Sequence, residues 1–156
     1  MAYELEAVIG EGKALSTVAK DLPGARLTSI GQGLALMPMT KALADSVADS
    51  SGEGVLGFWR LPGGFEETLA AWSAGGPMAY VEAEYFGGVG EQRAAVWDGG
   101  TLVLGPLHLE EGQAPPPVGT PISQALRRLG VRVSGREDEF SAAGLDRHRQ
   151  SEAWID

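Results

Sequence analysis

Apolar and polar residues alternate along several short stretches of the chain, a pattern typical of β-strands with one buried face. In the first stretch, residues 3–9, the odd positions are apolar or aromatic and Glu4 and Glu6 occupy even positions. Three later stretches are also predicted to be strands: 79–86, 93–98 and 101–104. Gly99-Gly100 joins the last two and is typical of a two-residue hairpin turn. The pattern therefore predicts a mainly antiparallel sheet.

Other segments carry apolar residues every three or four positions, the spacing of a helix with one buried stripe. The clearest helix begins at Thr120-Pro121, a capping residue followed by a first-turn proline, and ends at Gly130. Further helices are predicted over 12–22, 65–72 and 138–144. Residues 114–119 include three prolines and are expected to form a stiff connector. Together these elements predict a single α+β domain over residues 1–156, with several short helices packed on one face of the sheet.

Composition excludes several classes of protein. The 156 residues include no cysteine, which rules out disulfide scaffolds, thiol catalysis, zinc ribbons and iron–sulfur sites. The first 20 residues lack the apolar run of a signal peptide, and no stretch has the roughly 20 apolar residues of a membrane span. We therefore expect a cytoplasmic protein that is not associated with a membrane.

Charge narrows the choice of partner. The formal net charge is −9, and residues 79–118 contain six acids and only one base, Arg93. The basic surface that nucleic acids require is missing, so direct binding to DNA or RNA is disfavoured. An acidic surface suits a basic protein partner, although an acidic balance also serves solubility alone.

The predicted sheet offers a candidate binding surface. Glu82 and Glu84 should project from the same face, together with Tyr80 and Phe86. Aromatic side chains anchor many protein interfaces, and carboxylates complement a basic partner. A solvated sheet face is the simpler interpretation of the same pattern, and a one-residue slip of the hairpin would send the glutamates to the other face. The candidate partner-binding residues are Tyr80, Glu82, Glu84, Tyr85, Phe86, Glu91 and Asp98.

Two other functions stay open. A small enzyme or ligand-binding domain would use Glu82, Glu84 and His108, which requires a concave pocket where the three converge. A scaffold or assembly subunit would form concentration-dependent oligomers. The glycine-rich segment 87–92 lacks the lysine and the following helix of a phosphate-binding loop, and no nucleophile elbow is present. The sequence therefore predicts no catalytic residue, no metal site and no cofactor.

The second half of the chain resembles a known group of proteins. The similarity lies in residues 80–92, the Gly105-Pro106 step, residues 121–131 and Asp138-Glu139-Phe140. These segments resemble small acidic proteins of actinobacterial type, some of which are similar to immunity proteins of polymorphic toxin systems. The resemblance covers about residues 78–155, and its motifs are structural in kind. It implies a stoichiometric binder that masks a toxin, for example a nuclease, and has no chemistry of its own.

Overall fold

The domain is built on a six-stranded antiparallel sheet. The computed structural model describes residues 2–20, 22, 24–41, 43, 45, 58, 61, 64–86, 89–135 and 138–155. The order of the strands across the sheet is β2-β3-β1-β4-β5-β6, so the first strand lies near the centre. The strands are β1 (Ala2–Glu11), β2 (Thr28–Ser29), β3 (Leu34–Pro38), β4 (Met78–Phe86), β5 (Val89–Asp98) and β6 (Thr101–Leu109).

Short helices connect the strands. The α-helices are α1 (Gly12–Ala19), α2 (Phe65–Trp72), α3 (Pro121–Arg128) and α4 (Glu139–Ala142), and 3₁₀ turns span Gly31–Gly33, Ser73–Gly75 and Ser151–Ile155. The N-terminus of α3 is capped by the side chain that the sequence predicts. The Thr120 hydroxyl accepts a hydrogen bond from the Ser123 amide at 3.2 Å, as the Thr-Pro signature predicts. None of the described helices is both long and apolar enough to cross a membrane.

Helices cover both faces of the sheet. One face packs against α3, α4 and the C-terminal segment, and the opposite face packs against α1 and α2. The predicted α+β domain with a mainly antiparallel sheet is confirmed, but the helices do not gather on one face. The first core includes Leu5, Ala7, Ile9, Val81, Ile122, Leu126 and Trp154; the second includes Val8, Leu15, Phe65, Leu69, Tyr80 and Trp97.

The β4–β5 hairpin is longer than its alternation indicated. Phe86 pairs with Val89, so β5 begins at Val89 rather than at residue 93, and β6 continues to Leu109. Gly87 and Gly88 lie outside the described residues. This register places Glu84 directly opposite Glu91, and Glu82 opposite Arg93. One end of the sheet therefore carries a concentration of charged side chains.

The C-terminal segment pairs with the beginning of β1, before the residues of β1 that pair with β3. Gln150 forms a parallel bridge with Glu4, and the Glu4 amide donates to the Arg149 carbonyl at 2.6 Å. The Tyr3 hydroxyl donates to the Leu145 carbonyl at 2.8 Å, and its ring lies 5.4 Å from that of Phe140. These contacts join the first strand to the last residues of the chain.

Residues 114–118, which belong to the predicted proline-rich connector, are exposed.

The contribution of Tyr3 to the free energy of unfolding should decrease at alkaline pH. Burial, assisted by the charge of Asp146, raises the pKa of Tyr3 well above its usual value. The phenol of the unfolded chain ionises near pH 10. The unfolded state therefore loses this proton first, and the contribution of Tyr3, complete below pH 10, declines as the pH rises further.

We expect the free energy of unfolding to fall between about pH 10 and pH 11, by up to ~1.4 kcal/mol per pH unit for this group. Tyr3→Phe should flatten the decline while lowering stability at pH 8, because it also loses the hydrogen bond to Leu145. Urea unfolding across this pH range measures both effects. Parallel pH profiles for the two proteins would contradict the assignment.

Candidate functional site: an acidic cleft at the β4–β5 hairpin

The paired end of β4 and β5 forms an open cleft of about 330 Å³. Three carboxylate side chains line it, and the remaining wall is apolar or glycine. We call it the acidic cleft and define it by Glu84, Phe86, Val89, Gly90, Glu91 and Glu111. Glu111 follows β6, so the cleft draws on β4, β5 and the segment after β6.

Like charges face each other across this hairpin. Glu84 and Glu91 are direct cross-strand partners, an arrangement that destabilises a sheet by a few tenths of a kcal/mol or more. Glu91 Oε2 lies 3.4 Å from Arg93 Nη2 and 3.1 Å from His108 Nε2, which offsets part of the repulsion. Within the described part of the chain, no basic side chain lies within 4.0 Å of Glu84 or Glu111. The cleft therefore has a negative potential that a bound cation would relieve.

Two apolar side chains stand at the rim of the cleft. Phe86 is 76% exposed and Val89 is 50% exposed, and they pair with each other across the hairpin. Exposed aromatic side chains anchor many protein interfaces, and the neighbouring carboxylates can orient a basic partner. The hairpin end thus combines both features on one small surface.

Tyr80 and Glu82 do not belong to this surface. Both are fully buried in the second core, where the Tyr80 hydroxyl donates to Glu82 Oε2 at 2.9 Å and Phe58 packs edge-on against the Tyr80 ring. The expectation that they lie on a solvated face is wrong. Alternation correctly predicted that they face away from the first core. That side of the sheet is not open to solvent, however, because the second core covers it.

The other predicted residues are separated. Tyr85 points to the opposite face and is half-buried, and burial raises its pKa although hydrogen bonding from Gln92 opposes the shift. Asp98 is exposed but lies at the far end of β5, roughly 23 Å along the strand from Glu91. Glu84, Phe86 and Glu91 are the three predicted residues that the structure brings together.

The residues proposed for an enzyme do not converge on one pocket. Glu82 is buried, Glu84 lines the acidic cleft, and His108 lines a different cavity of about 200 Å³ beside Pro116 and Pro121. His108 contacts the cleft through Glu91. Among the residues that the structure describes, no group of three or more His, Asp or Glu side chains could hold a metal ion.

Sequence reasoning included the glycine-rich segment 87–92, and so Val89 and Gly90, in the binding surface, but it missed Glu111. Glu111 lies 20 residues after Glu91, and it joins the cleft because β6 extends as far as Leu109. The acidic pair Glu110-Glu111 was the available signal, but it followed a strand predicted to end at residue 104. No protein-family profile, curated protein or solved structure matches this chain.

Proposed function

We propose that the chain is a non-catalytic binding protein whose acidic cleft receives a basic segment of a protein partner. The facing carboxylates of Glu84 and Glu91, in a cleft shared with Glu111, carry this proposal. A lysine or arginine side chain placed between them would replace repulsion with two charge-assisted hydrogen bonds. The exposed Phe86 ring would pack against the apolar part of the same segment.

An immunity-like role is the specific form of this proposal. A basic toxin, such as a nuclease, would be masked by a stoichiometric acidic binder. The net charge of −9 supports it by steering a basic partner toward the complex before the cleft makes contact.

The test uses three versions of the protein as bait in a lysate of the source organism. Wild type is compared with Glu84→Lys/Glu111→Lys and with Glu67→Lys/Asp98→Lys, which changes net charge equally at exposed positions outside the cleft. We expect wild type and the control to retain a basic protein in one-to-one ratio, released by about 0.5 M salt. The cleft variant should lose it, mainly through a slower association rate.

Equal loss with both variants would mean that net charge alone governs capture, and would reject the cleft. Retention by the cleft variant would reject it as well. If no basic protein is retained by wild type at low salt, the proposal of a basic partner fails. All three baits must unfold at similar temperatures for the comparison to count.

A further inference from the structure

A second cavity lies on the opposite face of the same end of the sheet. It has a volume of about 310 Å³, at the small end of the range for ligand sites. Its wall combines three aromatic rings with polar side chains. We call it the aromatic cavity, and its defining residues are Tyr3, Tyr85, Phe140, Gln92, Asp138 and Arg149. They come from β1, β4, β5, α4 and the segments beside it.

The aromatic rings form a surface for a flat apolar group. Tyr3 and Phe140 are tilted at 58° with centroids 5.4 Å apart, and Tyr85 belongs to the same wall. Each of the three rings is only partly buried, although all three pack against the first core. A ligand ring placed among them would cover the apolar surface that the protein leaves open, with the edge or face contacts that aromatic pairs prefer.

Arg149 supplies the charge for recognition. Among the described residues, no carboxylate lies within 4.0 Å of its guanidinium group, whereas Arg93 and Arg127 each have one. The Arg149 backbone is held by its hydrogen bond to the Glu4 amide, so the side chain starts from a fixed point. A planar guanidinium matches the two oxygens of a carboxylate.

The remaining polar groups favour a singly charged ligand of small size. Gln92 is only 7% exposed, its Oε1 accepts from the Ile122 amide at 3.0 Å, and its side-chain amide also hydrogen-bonds Tyr85 in the same wall. Asp138 Oδ1 accepts from the Ser141 amide. The Asp138 carboxylate would repel a doubly charged phosphate more strongly than a single carboxylate, and it would accept a hydrogen bond from an amino group.

We propose that the aromatic cavity binds a small aromatic carboxylate, with the ring among Tyr3, Tyr85 and Phe140 and the carboxylate on Arg149. A free aromatic amino acid and the C-terminal aromatic residue of a peptide share this chemistry. The site is independent of the acidic cleft, because the two cavities have no lining residue in common.

Titration calorimetry of the full chain tests the proposal with four probes: phenylacetate, phenylalanine, N-acetylphenylalanine and phenethylamine. We expect phenylacetate and phenylalanine to bind with dissociation constants of about 1 mM or tighter. Phenethylamine, which lacks the carboxylate, should bind at least about tenfold more weakly. Equal binding of N-acetylphenylalanine and phenylalanine indicates a peptide C-terminus, and a preference for phenylalanine indicates the free amino acid.

Arg149→Gln should weaken phenylacetate binding by about tenfold or more. Arg132→Gln, a matched change at an exposed arginine outside the cavity, should leave binding unchanged within about twofold. Phe140→Leu keeps apolar bulk but removes a ring, and should weaken all the aromatic probes together. Absence of phenylacetate binding at 5 mM or so, equal affinity for phenethylamine, or an unaffected Arg149→Gln protein would overturn the proposal.

Discussion

Glu82→Lys is expected to destabilise the domain by about 3 kcal/mol or more, because it reverses a charge that is buried in the middle of the sheet. Glu82 is 0% exposed and lies between Glu6 of β1 and Arg93 of β5. A lysine ammonium group cannot accept the hydrogen bond that the Tyr80 hydroxyl donates to Glu82. It would also place a second cation beside Arg93 where solvent cannot screen it.

Glu84→Lys is the matched control for this experiment. It makes the same substitution two residues further along the same strand and on the same face, but at an exposed position. Its effect on stability should stay within about 0.5 kcal/mol, since exposed charges contribute little. Opposite Glu91 it could even be slightly favourable, because it replaces a like-charge pair with an opposite one.

Urea unfolding of the two variants and of wild type measures the difference. A Glu82→Lys protein as stable as Glu84→Lys would show that Glu82 is accessible to water. The second core would then not cover this position of β4. Glu82→Gln supplies a milder comparison, because its amide oxygen can still accept from Tyr80. The expected order of stability is therefore Glu84→Lys, then Glu82→Gln, then Glu82→Lys.

Features governed by neighbouring residues were predictable from the sequence. The helix that begins at Pro121 depends on Thr120 and on the apolar spacing that follows, both of which are visible within ten residues. The Gly99-Gly100 turn likewise joins β5 to β6, with Asp98 paired to Thr101. Such features need no knowledge of the rest of the chain.

Features that depend on distant segments were not predictable in the same way. Alternation in β4 shows which side chains share a face, but whether that face is covered depends on distant segments, such as the one that packs Phe58 against Tyr80. The continuous apolar run from Met78 to Val81 was a sign of burial on both sides. The aromatic cavity is harder still, since Tyr3 and Arg149 lie at opposite ends of the chain.

Gly90→Ala is expected to lower stability by about 3 kcal/mol, although it adds only one methyl group. A Cβ at this position would collide with the carbonyl oxygen of Glu84 and would lie 2.6 Å from Tyr85 Cα. Both obstacles are backbone atoms of the partner strand, so no side-chain rotation relieves them. The end of the hairpin must open, and Glu84 and Glu91 would separate with it.

Gly75→Ala is the control, because a Cβ there meets no atom within 4 Å and the residue does not have a positive φ. The free energy of unfolding of the Gly75→Ala protein should differ from that of wild type by less than about 1 kcal/mol. If binding of the basic partner requires the facing carboxylates, Gly90→Ala should also weaken that binding under conditions where the protein stays folded. An equally small effect of both substitutions on unfolding would mean that the strands at Gly90 are not held as closely as the register indicates. The facing carboxylates, on which the proposed function rests, would then lose their geometric basis.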